Sequence, residues 1–349
     1  MTLRRTLLRG LPATLATPAL LRAGPAGAQE ATLRLHHFLP AASNVHRYFL
    51  QPWARKVEQE SGGKLRIQIF PSMQLGGAPP QLYDQARDGV ADIVWTLFGY
   101  MPNRFPRMEA FELPFVAHEK AAVNARAAQE YSVQHAAEEL REVHPICVWA
   151  HDGGLIHANR PVRTMEDLRG LKLRFPTRLA GEALRALGAA PIGMPVPQVP
   201  EALSQRVLDG AVVPWEVVPS IKLQELVRNH TAIPGSPTLY SATNVLAMNK
   251  AKYEGLAAEL RRVLDANSGL TGAAMAAVPY DEQAAAVSEM ARRRGNQIMA
   301  ITEEEKQRWI VATAPVADAW QGQMRERGVD GAALLAAAKA AVAKHAGAS

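Results

Sequence analysis

Strand-like and helix-like stretches alternate through the first two-thirds of the chain, and this alternation constrains the fold more than any other feature. "TLRLHHFL" (32–39), "KLRIQIF" (64–70) and "VADIVWTLF" (90–98) read as strands. Between them lie a helix from Ser43 or Asn44 to about Gln59, which Pro52 should kink, and a helix in "PPQLYDQARDG" closed at Gly89. A helix from about Glu119 to Arg141 follows. The pattern then restarts, with "PICVWAH", "LIHANR", "LKLRF", "APIGM" and "GAVV" as strands and helices ending at Gly188 and near Leu208. Such alternation predicts mostly parallel sheets covered on both faces. Two runs of it in 349 residues predict two α/β domains. After about Asn249 the chain reads as almost wholly helical, ending in an alanine-rich helix former.

The first residues have the layout of a secretory signal. "MTLRRTLLRG" is a basic start, "LPATLATPALL" a short apolar stretch, and Ala26 to Ala28 supply small residues before Gln29. Cleavage after Ala28 would remove four arginines and no acid, leaving 35 basic against 33 acidic residues, a net charge of +2 instead of +6. Nucleic acid then has no electrostatic case as a partner. Arg4-Arg5 leaves the twin-arginine route open beside the general one. The single cysteine, Cys147, excludes an intramolecular disulfide and any cysteine metal cluster.

Catalytic patterns are missing. No GxSxG, GxGxxG, GxxxxGK or HExxH occurs. His36 and His37 are adjacent, but neighbours in a strand point to opposite faces, so they cannot share a metal; one is expected packed and the other exposed. Trp215-Glu216 follows a strand-like run and either lines a cleft or opens a helix. The feature that asks for an explanation is Arg174. Leu171, Leu173 and Phe175 alternate with Lys172 and Arg174 until Pro176 ends the strand. An arginine there is either a rim charge reaching solvent or a fixed cation aimed at an anion.

Several stretches in order carry a resemblance: "LRLHHFLPAASNVHRYFLQPWARKVEQESGGKLRIQIFPSMQLGG", "DGVADIVW", "FELPFV", "DLRGLKLRFP" and "LDGAVVPWE". From about Ala31 to beyond Lys250 the chain resembles the extracytoplasmic solute receptors of tripartite (TRAP) transporters, the DctP-type binding proteins. The resemblance implies a two-lobed periplasmic binding fold with crossing strands and a long connecting helix. Lobe I is expected over 29–150 plus about 238–280, and lobe II over 151–237 plus about 281–349. It implies a monomeric periplasmic protein that captures a small organic acid in the cleft and passes it to membrane permease subunits, with no cofactor and no catalysis. In this family the arginine at the position of Arg174 grips the ligand carboxylate. The chemistry agrees, because guanidinium presents a planar fork of donors and stays charged when desolvated.

Departures from the family pattern narrow the ligand. Where sialic-acid-type members carry a second arginine, the matching segment "HDGGLIHANR" shows glycines; where they place an asparagine before a proline, this chain has Val213. With Trp215, Phe98 and Tyr240, these changes imply a pocket that is apolar apart from one cation and suits a monocarboxylate with an apolar or aromatic body. Val212-Val213 occupy the place of a metal-binding Glu-Trp pair found in some members, so no metal is implied. Asn44 and His46 are expected either to orient polar groups of the ligand or, more simply, to cap a helix and sit on the surface. Two rival functions are an exported enzyme acting on a similar acid and a receptor that feeds a sensor kinase.

Overall fold

Two mixed sheets carry the chain, seen in a computed structural model that describes residues 30–347; the expected leader, residues 1–28, lies outside the described residues. The strands are β1 (Ala31–His36), β2 (Leu65–Phe70), β3 (Ile93–Leu97), β4 (Val143–Ala150), β5 (Leu155–Ala158) and β6 (Lys172–Phe175). They continue as β7 (Ala190–Gly193), β8 (Gly210–Val213), β9 (Asn229–Ala232), β10 (Thr243–Asn249) and β11 (Gln297–Ala300). One sheet has the order β2–β1–β3–β10–β4 and the other β11–β9–β5–β8–β6–β7. Wherever a helix connects consecutive strands the pairing is parallel, as in β1–β2 and β6–β7. The antiparallel strands are β10, between β3 and β4, and β5, between β8 and β9. Both lie in segments, 143–158 and 229–249, where the chain crosses from one sheet to the other.

Strands β3, β5 and β8 are buried nearly throughout, because helices or the opposite lobe cover both faces. Pro52 does not kink a helix in its middle. It sits in the first turn of Gln51–Glu60, where its missing N–H matters least, and a π-helical turn, His46–Leu50, precedes it.

Three details differ from the sequence expectations. β11 lies in the stretch that reads as helical, since four residues are too few to show a period of two between helices. The helix Gly331–Ala346 does not join the second lobe with the rest of 281–349. It packs on Ala121–His135 of the first, where Glu130 accepts from Lys344 at 2.6 Å and pairs with His345 at 2.9 Å. His36 and His37 are both buried: Gln85 lies 2.7 Å from His36 Nδ1, and His46 Nδ1 lies 2.8 Å from His37 Nε2.

The helix Glu303–Glu326 spans both lobes. Arg308, near its start, pairs with Glu166 of the second lobe. Trp320, near its end, donates its indole N–H to Glu109 of the first at 3.1 Å. Glu109 also accepts from Arg178, on the helix after β6, at 3.2 and 2.7 Å, a bidentate pair that bridges the lobes. Beside it Gly99 lies so close to Thr177 that a Cβ there would fall 2.5 Å from the threonine Cγ2. These contacts describe a closed cleft. Glu109→Ala is expected to shift the ligand-free protein toward an open form, seen as a larger radius of gyration in small-angle scattering. An unchanged radius would mean that this pair does not hold the lobes together.

Candidate functional site

A narrow cavity lies between the lobes. Its walls come from both lobes. Phe38, Leu39, Trp95, Leu97 and Tyr100 face Val196, Val213, Pro214 and Val217, and Tyr240, Ala242 and Tyr280 complete it.

Arg174 reaches this cavity from β6. The strand buries Leu173 on one face, so Arg174 points the other way, and Pro176 ends the ladder just beyond. The side chain is only 2% exposed, which rules out a rim charge. Nε donates to the Met194 carbonyl at 2.8 Å and Nη1 to the Val212 carbonyl at 3.3 Å, while Nη2 lies 3.5 Å from the Tyr100 hydroxyl. Among the described residues no carboxylate pairs with it. A buried cation without a counter-ion is costly, so this one calls for an anion from outside the chain.

Two tyrosines flank the guanidinium. The Tyr100 hydroxyl accepts from the Val196 N–H at 3.1 Å as well as facing Arg174, so its own proton remains to be donated. Tyr240 is 2% exposed and its hydroxyl has no protein partner. Burial pushes both phenols above their ordinary range, which the neighbouring Arg174 charge partly offsets. Both are therefore neutral donors beside the cation.

Gly153 and Gly154 have a structural reason. A Cβ on Gly154 would lie 1.9 Å from Tyr240 Cε1 and 2.5 Å from its hydroxyl, and one on Gly153 would lie 2.7 Å from Thr238 Oγ1. The tyrosine ring fills the space that a side chain at 154 would need.

A model of bacterial extracellular solute-binding proteins, family 7 (DctP), matches residues 35–323. The chain belongs to this family. Members of the DctP family are extracytoplasmic receptors of TRAP transporters. The structure is similar to a TRAP solute-binding protein of Rhodoferax ferrireducens solved with benzoate, at 43% identity and a TM-score of 0.89, covering 91% of this chain and 99% of the other. It is also similar to a marine-metagenome receptor, from an unidentified microbe, solved with 3-hydroxybenzoate: 42% identity, a TM-score of 0.89, and 91% and 99% covered. A third, from Bordetella bronchiseptica and solved with (R)- and (S)-mandelate, shares 27% identity with a TM-score of 0.82 over 90% of this chain and 99% of its own.

Within this DctP-family receptor, Arg174, Val213 and Tyr240 line the cavity. Trp215 does not. The turn Trp215–Val217 directs Glu216 and Val217 inward, while the indole packs against His157 and His230 with ring centroids 5.2 and 5.1 Å away. Phe98 lies outside the cavity and packs edge-on against Phe105. His46 is buried beside His37 rather than in the cavity or on the surface. Asn44 caps no helix; its amide donates across the cleft to the Glu216 carbonyl at 2.9 Å. The aromatic walls come instead from Phe38, Trp95, Tyr100 and Tyr280, which the sequence does not single out. Only the Trp-Glu dipeptide after β8 carried a signal, and its glutamate is the residue that faces the cleft.

The Gly154 contact gives a direct check. Gly154→Ala is expected to force the Tyr240 ring aside and lower stability by about 1–3 kcal/mol. Gly322→Ala, inside the helix Glu303–Glu326 with no clash nearer than 3.8 Å, is expected to raise stability by about 0.8–1 kcal/mol. Urea midpoints compare the two; a neutral Gly154→Ala would contradict the packing described here.

Proposed function

We propose that this receptor is exported, binds one small monocarboxylate with an aromatic or similarly apolar body, and delivers it unchanged to a TRAP permease. The observation that carries the reading is Arg174: a guanidinium buried in a mostly apolar cavity, with neutral phenols beside it and no counter-ion among the described residues. Its fork matches a carboxylate, and Tyr100 and Tyr240 supply further donors to the same oxygens.

Arg174 is the one lysine or arginine among the residues lining the cavity, which favours a single carboxylate over a dicarboxylate. Phe38, Trp95 and Tyr280 suit a flat ring. Two similar receptors, 43% and 42% identical, hold benzoate and 3-hydroxybenzoate, which supports an aromatic acid as the ligand here. Among the described residues no helix is long and apolar enough to cross a membrane.

The two lobes, the first holding 30–150, about 238–280 and the terminal helix, close around the acid because it touches both. Thermal denaturation with a panel of acids tests this function. Benzoate, phenylacetate and mandelate are expected to raise the melting temperature of the wild type, and succinate is not. Arg174→Ala should weaken binding by about 2–5 kcal/mol, roughly 30- to 5,000-fold, and Arg174→Lys should restore only part. Equal stabilisation of wild type and Arg174→Ala by the acids would overturn the proposal.

A further inference from the structure

Away from Arg174 the cavity holds polar groups that a carboxylate on the guanidinium leaves unused. Glu216 is 3% exposed and lines the cavity. One of its carboxylate oxygens accepts from the Val45 N–H at 3.2 Å, and the Asn44 amide holds its main-chain carbonyl at 2.9 Å, so the residue is fixed from across the cleft. Among the described residues the second carboxyl oxygen has no partner, and no lysine or arginine pairs with it. Burial pushes this carboxyl up to about 8, against the pull of the Val45 N–H, so it holds a proton at neutral pH.

His151 lines the same cavity and is 4% exposed. Its Nδ1 lies 2.6 Å from the Asp152 carbonyl, which can only accept, so the ring proton sits on Nδ1. Nε2 is then an acceptor with no protein partner. The His151 ring lies over Tyr280, with centroids 5.9 Å apart. The Tyr280 hydroxyl receives the Trp149 indole N–H at 3.5 Å and keeps its own proton to give. The His151 ring also meets Tyr240 edge-on, with centroids 5.4 Å apart, so it contacts both tyrosine rings.

We propose that Glu216, His151 and Tyr280 form a second subsite that reads a hydroxyl group on the ring of the ligand, remote from its carboxylate. The preferred ligand is then a hydroxylated aromatic monocarboxylate rather than the bare acid. The inference rests on the reading of Arg174 as the carboxylate anchor. The ligand hydroxyl donates to His151 Nε2 and accepts from Tyr280 or from the protonated Glu216 carboxyl, which satisfies groups that an unsubstituted ring would cover and leave unpaired. A site built to bond a hydroxyl discriminates strongly against the analogue that lacks it.

Calorimetric titration of the wild type with benzoate, 3- and 4-hydroxybenzoate and the two corresponding methoxybenzoates tests the subsite. At least one hydroxybenzoate is expected to bind about tenfold or more tighter than benzoate. The methoxybenzoates, which can accept but not donate, should lose that advantage. In Glu216→Met the ratio of benzoate to hydroxybenzoate dissociation constants should fall to within about twofold of one, whatever the affinity for benzoate itself becomes. If Glu216→Met does not fold, the methoxybenzoates on the wild type decide. Benzoate binding with no gain from either hydroxyl overturns the subsite and leaves the Arg174 reading standing, as does a gain that persists in the methoxybenzoates or in Glu216→Met. Failure of every aromatic acid to bind overturns the anchor itself, and this inference with it.

Discussion

A guanidinium held out of water with no acid beside it is the constraint around which this receptor is arranged. Main-chain carbonyls of Met194 and Val212 satisfy part of Arg174 and fix the direction of its fork. They neutralise none of its charge. Carbonyl dipoles make the burial tolerable, and a carboxylate makes it favourable. On the proposed reading, affinity and selectivity for an anion come from one residue, and the surrounding apolar wall strengthens both by keeping the local dielectric low.

The same residue ties recognition to the shape of the whole molecule. Tyr100 belongs to the first lobe, Arg174 and Val196 to the second, and the Tyr100 hydroxyl meets both of them. Glu216 is bonded to Asn44 and Val45 from across the cleft, and Glu109 to Arg178 at its rim. Each of these contacts joins one lobe to the other, and on the proposed reading each forms as the cleft closes. An acid seated on Arg174 adds to the closed form alone, which is how a ligand with few polar atoms can move two lobes.

Much of this was legible in the residues, because the signals were local. The period of two in "LKLRF" and the following Pro176 placed Arg174 at the end of a strand, where the structure has it. The parallel pairs follow from helix–strand alternation. What the sequence concealed depends on distant segments meeting. β9 and β11 are four residues each and pair only with one another and β5, so neither has room to show a pattern. Trp215 was the natural choice for a pocket wall, yet a single turn of 3₁₀ helix points it inward to His157 and His230 and leaves its neighbour Glu216 facing the ligand space. Gly153 and Gly154 read as a lost arginine. They are equally the room that Thr238 and Tyr240, more than eighty residues later, require. The side of the molecule taken by the last helix depends on Glu130 meeting Lys344 and His345, which no local spacing announces.

The central claim is that the charge on Arg174, rather than the fit of an aromatic ring, selects the ligand. Calorimetric titration of the wild-type protein with benzoate and with benzamide measures it most directly, since the two share size and shape and differ in charge. Benzoate is expected to bind at least about 100-fold more tightly, a difference of about 2.7 kcal/mol, the loss that follows when a buried cation is left without its partner. Equal affinities for the acid and the amide would contradict the account.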